Sequence, residues 1–153
     1  MNYRQFNPEF EARVRARFEQ SRVMKMLGTR LTRFSLGETD IELPYKADIC
    51  QSRSFIHGGI IGTLLDTVCG FAALSLVPAE SDVLTIEYKT NFLAPAIGET
   101  LFGRGRVLHQ GSSVIVCVAE GVMSTKDKER LVAKMTATLM VVPAQPVSLR
   151  IRT

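Results

Sequence analysis

Histidine and cysteine are scarce in this chain, at two and three of 153 residues. His57 and His109 are the only histidines, and no HExxH pattern is present, so neither metal chemistry nor a bound cofactor is expected. Cys50, Cys69 and Cys117 are odd in number and widely spaced. They read as reduced core thiols of a cytoplasmic protein rather than as disulfides or a zinc site. A GxSxG elbow is missing, as is a cysteine beside a histidine, which disfavours serine or cysteine hydrolase chemistry. The opening residues MNYRQFNPEF lack the apolar run of a secretion signal, which also points to the cytoplasm. No repeat, low-complexity tract or linker interrupts the chain, and its 153 residues at 46% hydrophobic content fit one domain spanning 1–153.

Basic charge is in excess, with a net +4, but the excess is local. Residues 1–34 carry eight Arg and Lys against three Glu, and the rest of the chain balances to −1. With no zinc finger, no aromatic-rich RNA-recognition strand and no helix-turn-helix pair, nucleic acid is not an expected partner.

Phe10, Val14, Phe18 and Met24 recur at helical spacing among arginines, which predicts an amphipathic helix within residues 1–27, closed by Gly28. Its arginines read as a solvated face. RLTRFSLGETDIELPY alternates about Gly37 as a hairpin does, with Thr39, Ile41, Leu43 and Tyr45 on one face. A loop over 46–56 leads into HGGIIGTLLDTVCGF, an apolar helix that should stop before Pro78. Four strand-like runs follow, over 83–92, 100–109, 114–124 and 131–142, and 143–153 reads as a tail. One apolar helix and a sheet with one face to bury predict a two-layer α+β domain.

Asp66 lies in the middle of that helix, where an ionised acid needs a partner, water or a proton. Its stripe carries Gly59, Gly62, Thr63, Cys69, Gly70 and Ala73, all small, while Leu64, Val68 and Phe71 with Ile60 and Ile61 fall on other sides. That separation leaves room for a ligand or for a second copy of the helix. It equally fits ordinary helix packing, with Asp66 bonded to a nearby hydroxyl or backbone donor. A membrane span over 58–77 is disfavoured by the mid-span acid and the strand-like flanks. Gly58 and Gly59 stand at the predicted helix start, where free N–H groups and the dipole suit an oxyanion. Asp66 is two turns further on, too far to act on the same carbonyl within one chain, so a homodimer with shared sites is expected. His57, isolated beside the helix start, reads as an orienting donor rather than a base.

Gln51, then His57-Gly58-Gly59 six residues later, then Asp66 nine residues after His57, followed by TIEYKTNFLAPAIGE and preceded by MKMLGTRLTRFSLGETDIELP, resemble the hotdog-fold acyl-CoA thioesterases. The branch they are most similar to is that of phenylacetyl-CoA thioesterase, and the likeness runs from about Leu27 to Val142. The resemblance implies an antiparallel sheet curled around the long helix, dimers and often tetramers, and active sites between subunits. It implies Asp66 as general base or nucleophile on an acyl-CoA, Gly58 N–H as the donor polarising the carbonyl, and His57 and Gln51 as orienting groups. Thr85 falls where relatives carry a hydroxyl that holds water, and Gly111, Ser112 and Ser113 where they contact CoA; Gly59 and Thr63 border the same substrate path. Gln51 departs from relatives with Asn or Asp there. A partly desolvated aspartate is a stronger base than one in water, which answers why one is buried here. Two rivals stand beside hydrolysis. A hotdog dehydratase or hydratase would need a His and an acid at one carbon, and the HFPGxP-type signature is missing. A non-catalytic acyl-CoA sensor would bind without releasing thiol.

Overall fold

The computed structural model describes residues 3–126 and 128–144. The tail expected from residue 145 onward lies outside the described residues.

The N-terminal segment forms two helices, α1 (Phe10–Gln20) and α2 (Arg22–Leu27), where the apolar spacing predicted one. Ser21 breaks them with an extended backbone, φ −70° and ψ 105°. Phe10 and Val14 of α1 and Met24 and Leu27 of α2 are buried, so both helices turn one face inward, and the break re-aims that face without losing it. Gly28 closes α2 in the left-handed conformation, φ 71°. The arginines of α1 are not simply a solvated face. Arg13 donates to the carbonyls of Pro78 and Ser81, and Arg17 pairs with the Asp82 carboxylate. Burial lowers the pKa of the Arg13 guanidinium. These bonds strap α1 to the segment that leaves the central helix.

β1 (Arg30–Ser35) and β2 (Glu38–Pro44) make the expected hairpin, its turn set by Gly37 at φ 73°. Thr39, Ile41 and Leu43 are buried and alternate with half-buried Glu38, Asp40 and Glu42. A 3₁₀ turn over Ala47–Ile49 leads to α3 (Gly58–Leu74), the apolar helix. Then come β3 (Ser81–Phe92), β4 (Thr100–Gln110), β5 (Val114–Ser124) and β6 (Glu129–Pro143). The sheet is antiparallel throughout in the order β1-β2-β4-β5-β6-β3, so β3 is an edge strand despite its central place in the chain. This is the hotdog arrangement, a sheet wrapped around one long helix, with additional N-terminal helices.

Leu64, Leu65 and Val68 of α3 are fully buried, each worth about 1.5–3 kcal/mol of apolar burial. α3 comes closest to the sheet over β4. A Cβ at Gly105 would stand 2.8 Å from the Val68 backbone, and one at Gly103 would stand 2.9 Å from Leu64 Cγ. The missing side chains let the helix settle onto the strand. Cys69 and Cys117 are buried free thiols in this layer, whereas Cys50 is only half-buried in the loop before α3. Among the described residues no helix is long and apolar enough to cross a membrane.

Candidate active site

The seam between α3 and β3 carries the site residues. Three positions four apart on α3 meet residues of β3 running the opposite way: Gly58 under Phe92, Gly62 under Tyr88, and Asp66 against Thr85. At Gly58 the absent Cβ leaves the Phe92 ring its space, since a Cβ there would stand 3.0 Å from Phe92 Cζ; at Gly62 a Cβ would sit in ordinary contact, 3.8 Å from Tyr88 Oη. At Asp66 the contact is polar. Thr85 Oγ1 donates to Asp66 Oδ1 at 2.7 Å, a short charge-assisted bond across 19 residues of chain.

Asp66 thus has the nearby hydroxyl that simple packing called for, and something more. No donor among the described residues reaches its second oxygen, and the half-buried side chain borders a cavity of about 260 Å³. Thr67, Gly70, Phe71, Leu74, Val83 and Leu139 wall that cavity, with Arg17 and Asp82 beyond them. One turn from Asp66, the buried Cys69 packs against Cys117, whose thiol donates to the Cys69 carbonyl at 3.6 Å; the contact with Cys117, burial and the nearby Asp66 carboxylate push the Cys69 thiol pKa up. It stays protonated and is no nucleophile.

The other end of the seam is the start of α3. His57 is the N-cap, and its Nδ1 accepts from Gly59 N–H at 2.9 Å. Gly58 and Gly59 are therefore not equivalent, contrary to the expectation of two free donors. The imidazole takes the Gly59 N–H, while the Gly58 N–H has no partner among the described residues. The same bond fixes the tautomer of a neutral His57, since Nδ1 must lack a proton and Nε2 then carries it toward solvent. A largely apolar recess of about 470 Å³ opens beside Gly58, bordered by Ile56, Ile61, Phe92 and Leu93.

Gln51 lies in the loop before α3, with its side-chain oxygen accepting from Ser52 Oγ and Arg53 N–H, each at 3.1 Å. It is folded onto its own loop and makes no bond to Asp66. Thr63 donates to the Gly59 carbonyl at 2.9 Å. The β4–β5 turn is closed by Gly111 N–H to the Val114 carbonyl at 3.0 Å, with Ser112 and Ser113 exposed. Strand register aligns Ile115 with Leu139 and Leu139 with Thr85, so this turn shares the Asp66 end of the sheet and lies away from Gly58. The sequence did not single out Arg17 or Asp82 on the cavity that Asp66 borders, or Tyr88 and Phe92 over the glycines. Their signal, alternation on β3, gives a face but not which helix residue it meets. Among the described residues no cluster of three or more His, Cys, Asp or Glu could hold a metal ion.

Residues 54–128 match the model of the thioesterase superfamily. A solved thioesterase family protein from Silicibacter pomeroyi is 38% identical, with a TM-score of 0.87 over 88% of this chain and 99% of that one. A Saccharolobus solfataricus protein named as a "putative esterase" is 36% identical over 64% of this chain and 69% of its own. The Escherichia coli PaaI protein, from the phenylacetic acid degradation operon, shares the fold at a TM-score of 0.81, with 21% identity over 90% of this chain and 96% of its own. With a match that takes in both ends of the α3–β3 seam and a structural relative aligned over nearly its whole length, this chain belongs to the thioesterase superfamily.

Proposed function

We propose that the protein is an acyl-CoA thioesterase that hydrolyses a thioester to the free acid and CoA, working as a homodimer with two shared sites and no metal. The observation that carries this is the state of Asp66: one oxygen held by Thr85 at 2.7 Å, the other open to a cavity. An acid oriented in this way is suited to take a proton from water or to attack a carbonyl itself. Gly58 N–H, without a partner among the described residues at the positive end of α3, supplies the complementary group, a donor for the developing oxyanion. Eight residues of helix separate the two, roughly 12 Å, so each needs its counterpart from elsewhere.

A second copy supplies it. β3 is an edge strand, with Leu84, Ile86, Tyr88 and Phe92 each at least half exposed. A long apolar edge left bare is an association surface. Antiparallel pairing of two β3 edges runs the Asp66–Thr85 end of one subunit toward the Tyr88–Phe92 end of the other, bringing each carboxylate toward its partner's Gly58. His57 Nε2–H and the free amide of Gln51 then orient substrate or water, Thr63 and Gly59 border the substrate path, and the Gly111–Ser113 turn contacts CoA. Pairs of such dimers would give the tetramer, and the cytoplasm, where acyl-CoA is held, is the natural compartment. The hydratase alternative is weakened because His57 Nδ1 is already engaged as the helix cap, accepting from Gly59 N–H. A thiol-release assay over an acyl-CoA panel tests the reading. Turnover by the wild type and its collapse in Asp66→Asn are expected; near-normal turnover by that variant on every thioester would remove Asp66 from catalysis, and binding without thiol release would favour the sensor.

A further inference from the structure

The cavity at Asp66 has a second end. Along α3 it passes from Asp66 by Gly70 to Leu74, and along β3 from Thr85 back to Asp82. Two helical turns on one wall and three strand residues on the other both give a length of roughly 10–12 Å. Two of its features are not demanded by the fold.

The first is Gly70. It occupies the interior of a helix, where only proline is a poorer choice, yet nothing lies within 4 Å of where its Cβ would be. At Gly58 and Gly59 a neighbouring side chain fills that space, and at Gly62 Tyr88 Oη stands at contact distance; at Gly70 the space is open. The second is Arg17. One of its N–H groups goes to Asp82 Oδ2, and Asp82 Oδ1 already accepts from Val83 N–H at 2.9 Å. Both carboxylate oxygens are thereby engaged, whereas a guanidinium has five donors in all, and no other acceptor among the described residues takes those left over. The cavity ends at an arginine positioned by its carboxylate partner, its side chain 35% exposed and its remaining donors left to solvent. Between the two ends the walls are apolar, with Phe71, Leu74, Val83 and Leu139.

We infer that this space receives the acyl group of the substrate, and that Arg17 reads an oxygen acceptor at the far end of that group. The inference rests on the reading of the protein as a thioester hydrolase and names its substrate class. An apolar cavity of about 150 Å³ holds the six carbons of benzene, and at that ratio the 260 Å³ here takes an acyl group of roughly ten non-hydrogen atoms. The class is an aryl or short aliphatic acyl group with a distal hydroxyl, carbonyl or carboxylate oxygen. Gly70 leaves room for its body beside Asp66. A wholly apolar acyl group of the same length would strip water from the Arg17 donors and return nothing, which is how a polar site discriminates against an analogue lacking its partner.

Matched thioesters test this: adipoyl-CoA against hexanoyl-CoA, and 4-hydroxyphenylacetyl-CoA against phenylacetyl-CoA, with acetyl-CoA as the shortest substrate. The oxygenated member of each pair is expected to have the higher kcat/KM, on the order of tenfold. Arg17→Met should bring each pair close to parity, chiefly through KM, with its smallest effect on acetyl-CoA, which is too short to reach residue 17. Because Arg17 also straps α1, Gly70→Ala is the second variant. It leaves that strap alone, favours the helix, and should lower kcat/KM most for the aryl and six-carbon substrates. Equal rates within both pairs for the wild type, or an Arg17→Met that slows every substrate by one common factor, would overturn the inference while leaving hydrolysis standing. A wild type that releases thiol from none of the five would overturn the hydrolytic reading and this inference together.

Discussion

Gly58→Pro removes one backbone N–H and little else, which makes it the sharpest probe of the oxyanion donor. Gly58 is the first residue of α3, the position where proline is favoured because its missing N–H has no helical partner to lose. The preceding residue is equally permissive: His57 has φ −61° and ψ 136°, inside the extended region that a following proline requires. The one contact at risk is with Phe92, whose Cζ would lie 3.0 Å from a Cβ at residue 58. Phe92 is 57% exposed in the single chain, and an alanine at residue 58 makes the same contact, so its effect cancels in the comparison below. Folding should therefore survive with a small loss, while a carbonyl bound at the helix start loses its donor, a change typically worth about 10²–10³ in kcat, or roughly 2.7–4 kcal/mol. Gly58→Ala is the control, adding the same Cβ and keeping the N–H. Thiol release with a short acyl-CoA, read beside thermal unfolding of both variants, gives the comparison. If the proline variant is folded and turns over within about threefold of the alanine variant, the Gly58 amide is not the group that stabilises the transition state.

Thr85→Val deletes the hydroxyl that donates to Asp66 at 2.7 Å; because Thr85 is exposed, a loss near the low end for a charge-assisted bond is expected, about tenfold in kcat. Thr85→Ser should restore most of it, and steady-state kinetics on the two variants checks this. Gly105→Ala forces a methyl to within 2.8 Å of the Val68 backbone, so α3 must lift from β4, and urea unfolding should show a loss of about 1–3 kcal/mol.

Much of this fold was legible because its signals are local. The burial alternation of Thr39, Ile41 and Leu43, the turn at Gly37 and the uninterrupted apolar character of α3 each follow from neighbours in the chain. The break at Ser21 is read through, since Phe10, Val14 and Phe18 keep an i, i+4 spacing and Met24, ten residues after Val14 and about 80° off that stripe, is joined to them; the surface they pack on decides the bend. The edge position of β3 was hidden for a similar reason, as strand order is a tertiary property. Within the site, the residue types of the His57-Gly58-Gly59 stretch and Asp66 marked the ends of the seam. Three facts needed coordinates. His57 takes the Gly59 N–H and leaves Gly58 alone; Thr85 rather than a neighbouring β3 residue reaches Asp66; Arg13 and Arg17 hold the α3–β3 connection instead of facing water. Each depends on a side-chain direction or a register that no periodicity encodes.

Mixing two inactive proteins tests the shared site most directly. Asp66→Asn lacks the carboxylate and Gly58→Pro lacks the donor, so each homodimer has two dead sites. If each site joins Asp66 of one subunit to Gly58 of the other, a mixed dimer holds one doubly defective site and one intact site. Equal mixing after subunit exchange should then recover up to about a quarter of wild-type turnover. Activity that stays at the sum of the two parents, in a sample shown by mass to contain mixed dimers, would mean that both groups act within a single chain or not at all.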